Sequence, residues 1–528
     1  MTAHLEAHAE PSTPADVALR TWVAVVAGSL GAFIALLNHQ IVNAAMADIQ
    51  NALGADPRDG SWITTAYLVG AIVIIPMTGW LSRALSTRLL LIGNGLLFVL
   101  FSIACGFAGD LQQMVAARAL QGMSGGVMAP MAFTLIITLL PKPRQATGMA
   151  VYCLTVTLAP AAGPVLGGWL AELWGWRSMF YVMAAPSAVM VALLWASLEP
   201  EPRQLMLLRQ ADWWGIFTMV LGLSCLQLLL ELGEREDWFD STFIVRLAMI
   251  AAPSLALFVW IELRREDPLI NLRLLARRNF LAGAIASFLL GAVVFGGLFI
   301  LPLYLSRVQG YNSAQIGHVV MWTALPQFAL LPFIPYLVRK VDPRLLLALG
   351  FALFAGSNLM NIALTSDVAG EEFILPSGVR GIGSALVVTP LSMLAIVGIG
   401  VADAASASAL SSVIRNLGGA IGVACLRNFL INREQLYTHR LSEAVSPFGE
   451  STRLRLEQLA QYFVDRGSSD LLARHQAVRT IAESVHHQAS ILAFSDTFLV
   501  MAAILLLALA SAPFYRLPPA GLPAKAPR

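Results

Sequence analysis

The sequence predicts an all-α, polytopic membrane protein with fourteen transmembrane helices, and three observations carry the prediction. Of its 528 residues, 57% are hydrophobic and only 12% are charged, where a soluble domain carries about 25% charged residues. The apolar residues fall into blocks of about 20, the length of a helix that crosses a bilayer. Two Gly-rich patterns recur eight blocks apart, as in transporters assembled from repeated bundles.

The blocks run over 21–45, 61–81, 88–108, 112–137, 146–170, 178–198, 213–232, 242–263, 281–305, 316–338, 344–364, 374–398, 405–430 and 490–513. The thirteenth is the least apolar, with Arg415 inside it and Asp403 beside it. An even number of spans puts both termini on one side, and the positive-inside rule chooses the side. Eighteen basic residues flank the spans on the side of the termini, against five opposite (Arg58, Arg177, Arg235, Arg246 and Arg307). Both termini are therefore expected in the cytoplasm of a multi-pass protein of the bacterial plasma (inner) membrane. The polar residues 1–20 have no signal-peptide pattern, so the first block reads as an uncleaved anchor. Residues 515–528 are Pro- and Ala-rich and read as a disordered tail.

The one long segment between spans, 431–489, keeps helical periodicity through Leu454, Leu456, Leu459, Ala460 and Phe463, then Leu471, Leu472, Val478 and Ile481. It reads as a helical cap outside the membrane or as a docking surface for a partner protein.

Other function classes find no support. A net charge of +2 makes no electrostatic case for nucleic acid. Cys105, Cys153, Cys225 and Cys425 lie in apolar blocks without CxxC spacing and read as small buried residues. His486-His487 lacks a spaced third ligand, so no metal is expected, and no cofactor. No nucleotide-binding loop or nucleophile elbow supports a membrane-bound enzyme, and no soluble output domain supports a sensor.

The internal echo pairs Arg118 through Gly122 and Pro130 in the fourth block with Arg380, Gly381, Gly383 and Pro390 in the twelfth. Gly163, Pro164, Gly167 and Gly168 in the fifth are echoed by Gly418, Gly419 and Gly422 in the thirteenth. This arrangement fits two six-helix bundles, 21–200 and 266–515, with two helices inserted at 201–265.

Arg118 is the first candidate for mechanism. An Arg at mid-membrane costs about 2.5–3.5 kcal/mol on insertion scales and survives only with partners. Gln121 shares its face, and the first block offers Asn38, His39, Gln40 and Asn43 at a similar depth. The neighbouring readings of Arg118, a structural hub or a substrate and coupling residue, both stay open here. In the fifth block, Ala159, Gly163 and Gly167 form a small-residue stripe that lets a helix approach, while Pro160 and Pro164 favour a bend. A bent, closely packed helix suits a hinge.

The stretch 159–168 resembles the antiporter signature of the major facilitator superfamily, and the chain as a whole resembles its EmrB/QacA-type fourteen-helix drug/proton antiporters. Segments 33–49, 62–81, 230–241, 415–422 and 488–498, with Arg118 and Gln121-Gly122, carry the resemblance. It implies the major facilitator fold and proton-coupled multidrug efflux by alternating access. It also implies amphiphilic small molecules as cargo, with a periplasmic adaptor and an outer-membrane channel as partners. The chain departs from the family at two places. Asn38 stands where the family carries an Asp thought to take part in proton coupling, and Asn cannot titrate. The gating loop after the second helix reads Gly79-Trp-Leu-Ser-Arg83, ending at Arg88, with Arg83 at the acidic position. If coupling persists, His39, Glu231 and Asp496 are the candidate proton carriers. A dedicated exporter of one endogenous metabolite, such as a siderophore or lipid-like product, is the alternative.

Overall fold

The structure, a computed structural model, describes residues 17–515 apart from 205, 210, 266–267, 366–369, 396, 398, 401–402 and 447–448. Residues 1–16 and 516–528, most of the two expected tails, lie outside the described residues. Among the described residues there is no strand. Among the described residues thirteen helices are long and apolar enough to cross a membrane, and the pair Arg144–Pro160 and Val165–Trp174, bent by 51°, is a fourteenth when taken as one span.

We number them α1 (Leu19–Ala44), α2 (Trp62–Leu85), α3 (Thr87–Phe107), α4 (Leu111–Leu139), α5 (Lys142–Trp174), α6 (Arg177–Ser197), α7 (Trp213–Leu232), α8 (Thr242–Arg264), α9 (Arg278–Arg307), α10 (Gln315–Val338), α11 (Pro343–Met360), α12 (Gly370–Ala395), α13 (Ala404–Ala444) and α14 (Asp470–Phe514). The end of the bundle where α1 begins and α14 finishes is called the terminal end, and the opposite end the cap end.

Local chemistry starts the helices. Asp110, Asp212 and Asn312 accept hydrogen bonds from Gln113 (2.8 Å), Gly215 (2.9 Å) and Gln315 (2.9 Å). Proline interrupts α2 and α10 at the same place: both pass through a short 3-10 turn, Ile75–Met77 with Pro76 and Leu331–Phe333 with Pro332. The bend in α5 falls at Pro160 and Pro164, whose missing N–H groups leave the helix free to break there.

The internal echo reappears as matching helix contacts. A Cβ on Gly122 would lie 2.1 Å from the Tyr67 carbonyl oxygen, and one on Gly381 would lie 2.1 Å from that of Thr323. So α4 packs on α2 just as α12 packs on α10, backbone against backbone. The contacts also correct the register of the echo. Gly122 matches Gly381, so Arg380 occupies the rung of Gln121, not that of Arg118.

In the first set of helices α1 packs on α4, α5 and α6; in the second α9 packs on α12, α13 and α14. The inserted pair α7 and α8 pack on each other, and α7 also touches α2 and α13. The two sets meet most closely at the terminal end. An apolar seal there joins Ile136, Met149, Tyr152 and Cys153 to Leu331, Ile334, Ala385 and Leu386. Ser408 donates to the Pro130 carbonyl at 2.6 Å, and Thr389 to Cys153 Sγ at 3.5 Å, across the same junction.

The thirteenth span is a longer helix than its apolar block. α13 continues to Ala444, Glu450–Val464 forms a separate cap helix, and α14 starts at Asp470. Residues beyond the apolar block extend a helix already nucleated, which costs little. Asp496 on α14 binds Arg433 (3.2 Å) and Tyr437 (2.8 Å) of α13, tying the two extensions together. Cys105, Cys153 and Cys225 are buried as expected, but Cys425 is exposed. Apolar composition does not separate a core-facing position from a lipid-facing one, because lipid tails are as apolar as the core.

Candidate functional site: a buried arginine hub and a cationic cavity

Arg118 is fully buried, on α4 about two turns in from the cap end. Its Nη1 donates to Asn38 Oδ1 of α1 at 2.7 Å and to Gln121 Oε1, and its Nε donates to the Ile63 carbonyl of α2 at 3.4 Å. Gln121 passes the network on to Ser102 of α3 at 2.8 Å. The guanidinium lies 4.3 Å from the Tyr67 ring centroid, a cation–π distance. Four helices are thus tied to one cation. Every partner of Arg118 among the described residues is neutral, and its Nη2 and the Asn38 Nδ2 have no partner among them.

His39 does not bond to Arg118; it stacks on the same Tyr67 ring, with centroids 5.6 Å apart. Tyr67 is held by a 2.9 Å bond from its hydroxyl to the Ala35 carbonyl. Thr64 donates to Asn43 Oδ1 at 2.8 Å, which turns the Asn43 amide nitrogen toward His39 Nε2 at 3.3 Å. An amide nitrogen only donates. His39 Nε2 is therefore the acceptor, and the neutral ring carries its proton on Nδ1. Of the four polar side chains of α1, Asn38 alone bonds to Arg118. The backbone of Gln40 instead lies against Gly163, where an added Cβ would come within 3.3 Å of it.

Between the two sets of helices lies a cavity of about 130 Å³, which no residue of this hub lines. Leu36 of α1 and Pro160 of α5 line one side, and α9, α10, α11, α12 and α13 line the rest. Its charged lining residues are Arg380 and Arg415, and no carboxylate lines it among the described residues. Arg415 donates to the Tyr152 hydroxyl at 3.2 Å. Arg380 lies 5.5 Å from the Phe354 ring centroid and has no hydrogen-bond or ion-pair partner among the described residues.

The remaining sequence candidates sit elsewhere. Glu231 is exposed on α7; its neighbour Glu234 makes the ion pair to Arg427 of α13. Asp496 belongs to the α13–α14 clasp. Gly167 lets α5 approach α1 at Ile41 and Ala44, while Gly168 faces open space. The side chain of Pro164 lies outside the described ones. At the terminal end, Gly79 packs on the backbone of Ala405 and Ser406, Arg83 is exposed, and Arg88 donates to the Trp195 carbonyl at 3.0 Å. Tyr67, Ser102, Thr64 and Tyr152 were not legible as site residues: single hydroxyls in apolar blocks are common, and only the packing selects these.

A model of the Major Facilitator Superfamily matches residues 28–423, well over half of the chain. The chain belongs to that superfamily. It is a multi-pass membrane transporter of this class, and its relatives span nearly its whole length. It is 28% identical to the "Colistin resistance protein EmrB" of Acinetobacter baumannii, over 96% of this chain and 97% of that one. It is 30% identical to the "Fatty acid resistance protein FarB" of Neisseria gonorrhoeae (92% and 94%) and 28% to the "Multidrug export protein EmrB" of Escherichia coli K12 (92% and 94%). The fold matches two solved transporters. The human organic anion transporter MFSD10 aligns with a TM-score of 0.56 at 15% identity, covering 95% of this chain and 100% of that one. The proton:xylose symporter XylE aligns with 0.59 at 12% identity, covering 93% and 94%.

Proposed function

We propose that this protein exports amphiphilic small molecules across the bacterial plasma membrane by alternating access, driven by protons, with both termini in the cytoplasm. The observation that carries the reading is the cavity between the two sets of helices, mostly apolar in its lining apart from Arg380 and Arg415, and sealed at the terminal end. A drug-sized ligand needs about 300–1,000 Å³, and the cavity holds about 130 Å³. Cargo therefore enters only when the sets part. The hinge we assign to the bend of α5 at Pro160 and Pro164, with Gly79, Arg83 and Arg88 at the gate on the terminal end. The names of the relatives, which speak of multidrug export and of resistance to colistin and fatty acids, support the export direction.

For the proton we propose His39. Its Nε2 accepts from Asn43, so taking up a proton there sets two donors face to face. The Asn43 amide then has to turn, and its bond with Thr64 of α2 reverses, the hydroxyl accepting where it now donates. Protonation is in this way linked to the α1–α2 contact. Leu454, Tyr462, Leu471, Leu472 and Val478 are exposed at the cap. They support the reading of this region as the docking surface for a periplasmic adaptor that leads to an outer-membrane channel.

The test is efflux of fluorescent amphiphiles of either charge from an efflux-deficient bacterium. Export that collapses with a protonophore and with His39→Ala, in protein that still reaches the membrane, is the expected result. Proton-driven export that survives His39→Ala removes His39 as the carrier. Absence of any export from well-expressed protein overturns the export reading.

A further inference from the structure

Resting on that reading of the cavity as the cargo site, we infer that the cargo head group is an anion, a carboxylate or a similar oxyanion, held between Arg380 and Arg415. Three observations converge. The charged groups that line the cavity are both arginines, with no carboxylate among the described residues to neutralise them. Arg380 has no polar partner of its own among the described residues, and its guanidinium is pressed against Gly297 and faces Phe354. Arg415 has one bond, to a neutral hydroxyl, which leaves its other donors for a ligand.

In a low-dielectric cavity, two uncompensated cations repel a third and attract an oxyanion. The planar guanidinium fork matches a carboxylate in two parallel hydrogen bonds. An ammonium or phosphonium head group finds no counter-charge here. The tail has its own surface. Leu290, Val294, Leu298 and Leu301 recur at helical spacing on α9, and Leu36 of α1 stands in the same lining. Head and tail therefore touch different helices. The head group lies on α12 and α13 and the tail along α9, with α1 and α5 closing over it.

Three probes with one tail and different heads decide the matter: decanoate, decyltrimethylammonium and decanol. Binding to the full-length protein in lipid nanodiscs is measured by displacement of radiolabelled decanoate. Decanoate is expected to bind at least about tenfold tighter than decyltrimethylammonium, the size of one charge-assisted hydrogen bond. Arg380→Gln and Arg415→Gln are each expected to weaken decanoate by about tenfold and to leave decanol unchanged. Arg380→Lys, which keeps the charge, is expected to keep the preference for decanoate over the cation. Equal binding of the three probes by the unsubstituted protein overturns the inference. So does decanoate binding that is unchanged in both glutamine variants. Transport of decanoate in proteoliposomes is read separately. Selective binding without transport sinks the export reading and leaves the head-group assignment standing, whereas transport without charge selectivity does the reverse.

Discussion

Arg118 carries a full charge in a fully buried site, and its acceptors are an asparagine, a glutamine and a backbone carbonyl. Hydrogen bonds to a charged group contribute about 1.5–3 kcal/mol each. Gln121→Leu removes one acceptor and strands Ser102, so we expect a loss of about that size. Asn38→Asp acts in the opposite direction. It sets a carboxylate 2.7 Å from a guanidinium that now lacks one, and charge-assisted bonds are roughly twice as strong as neutral ones. Thermal unfolding of the purified protein in detergent is expected to show a lower midpoint for Gln121→Leu and a higher one for Asn38→Asp. A lower midpoint for Asn38→Asp would mean that Arg118 is already neutralised by something other than these partners. Asn43 gives a second test at this scale: Asn43→Asp offers His39 Nε2 an acceptor in place of a donor. It is expected to favour the protonated ring and shift the pH dependence of transport toward higher pH. An unchanged pH profile would remove Asn43 from the proton path.

The helix contacts divide the glycines into those that touch a neighbouring backbone and those that do not. Gly122 and Gly381 hold α4 and α12 against α2 and α10 at equivalent places, with only 2.1 Å left for a Cβ. Alanine at either position forces the helices apart, and overpacking of this kind costs about 1–3 kcal/mol. Gly168 sits on the same helix as the tightly packed Gly163, yet nothing lies within 4 Å of its Cβ position. Gly168→Ala is therefore expected to be neutral or to stabilise by up to about 1 kcal/mol through helix propensity. The yield and thermal stability of Gly122→Ala, Gly381→Ala and Gly168→Ala check the contrast. Equal behaviour of all three would show that the α2–α4 and α10–α12 contacts are looser than described.

For the whole molecule, transport requires the two sets of helices to part at the terminal end, where Thr389 of α12 touches Cys153 of α5 at 3.5 Å. Thr389→Cys places a second thiol against the native one. Under an oxidant, the Thr389→Cys protein is expected to lose transport and to regain it on reduction, while the unsubstituted protein is unaffected. Full transport with the cross-link formed, as judged by loss of thiol labelling, would show that this junction does not open. The seal around it is mainly apolar on both sides, with Ser408 on the Pro130 carbonyl and Arg415 on the Tyr152 hydroxyl as its other polar contacts. Apolar surfaces attract without direction, so the junction closes readily and gives up only a few isolated hydrogen bonds when it separates.

Much of this was legible in the chain. The number and order of the spans follow from block length, because a bilayer demands about 20 apolar residues per helix. The eight-span echo follows from glycine spacing, and the contact of Arg118 with Asn38 follows from depth along two helices. The sequence could also single out the missing carboxylate at Asn38, since residue type alone decides what titrates. What it could not decide was register and direction. Arg118 and Arg380 look equivalent until the glycine contacts show them one turn apart. His39 looks like a partner of Arg118 until Tyr67 and Asn43 turn it aside. Glu231 looks like the charge at the end of α7 until Glu234 takes Arg427. The cavity with two arginines is assembled from seven helices; Arg380 and Arg415 stood out in the sequence as cations within apolar blocks, but nothing in it said that they face one cavity. Local composition determines which segments enter the membrane, because each helix satisfies its own backbone there. Which side chains meet between those helices is a property of their packing, and only the tertiary structure decided it.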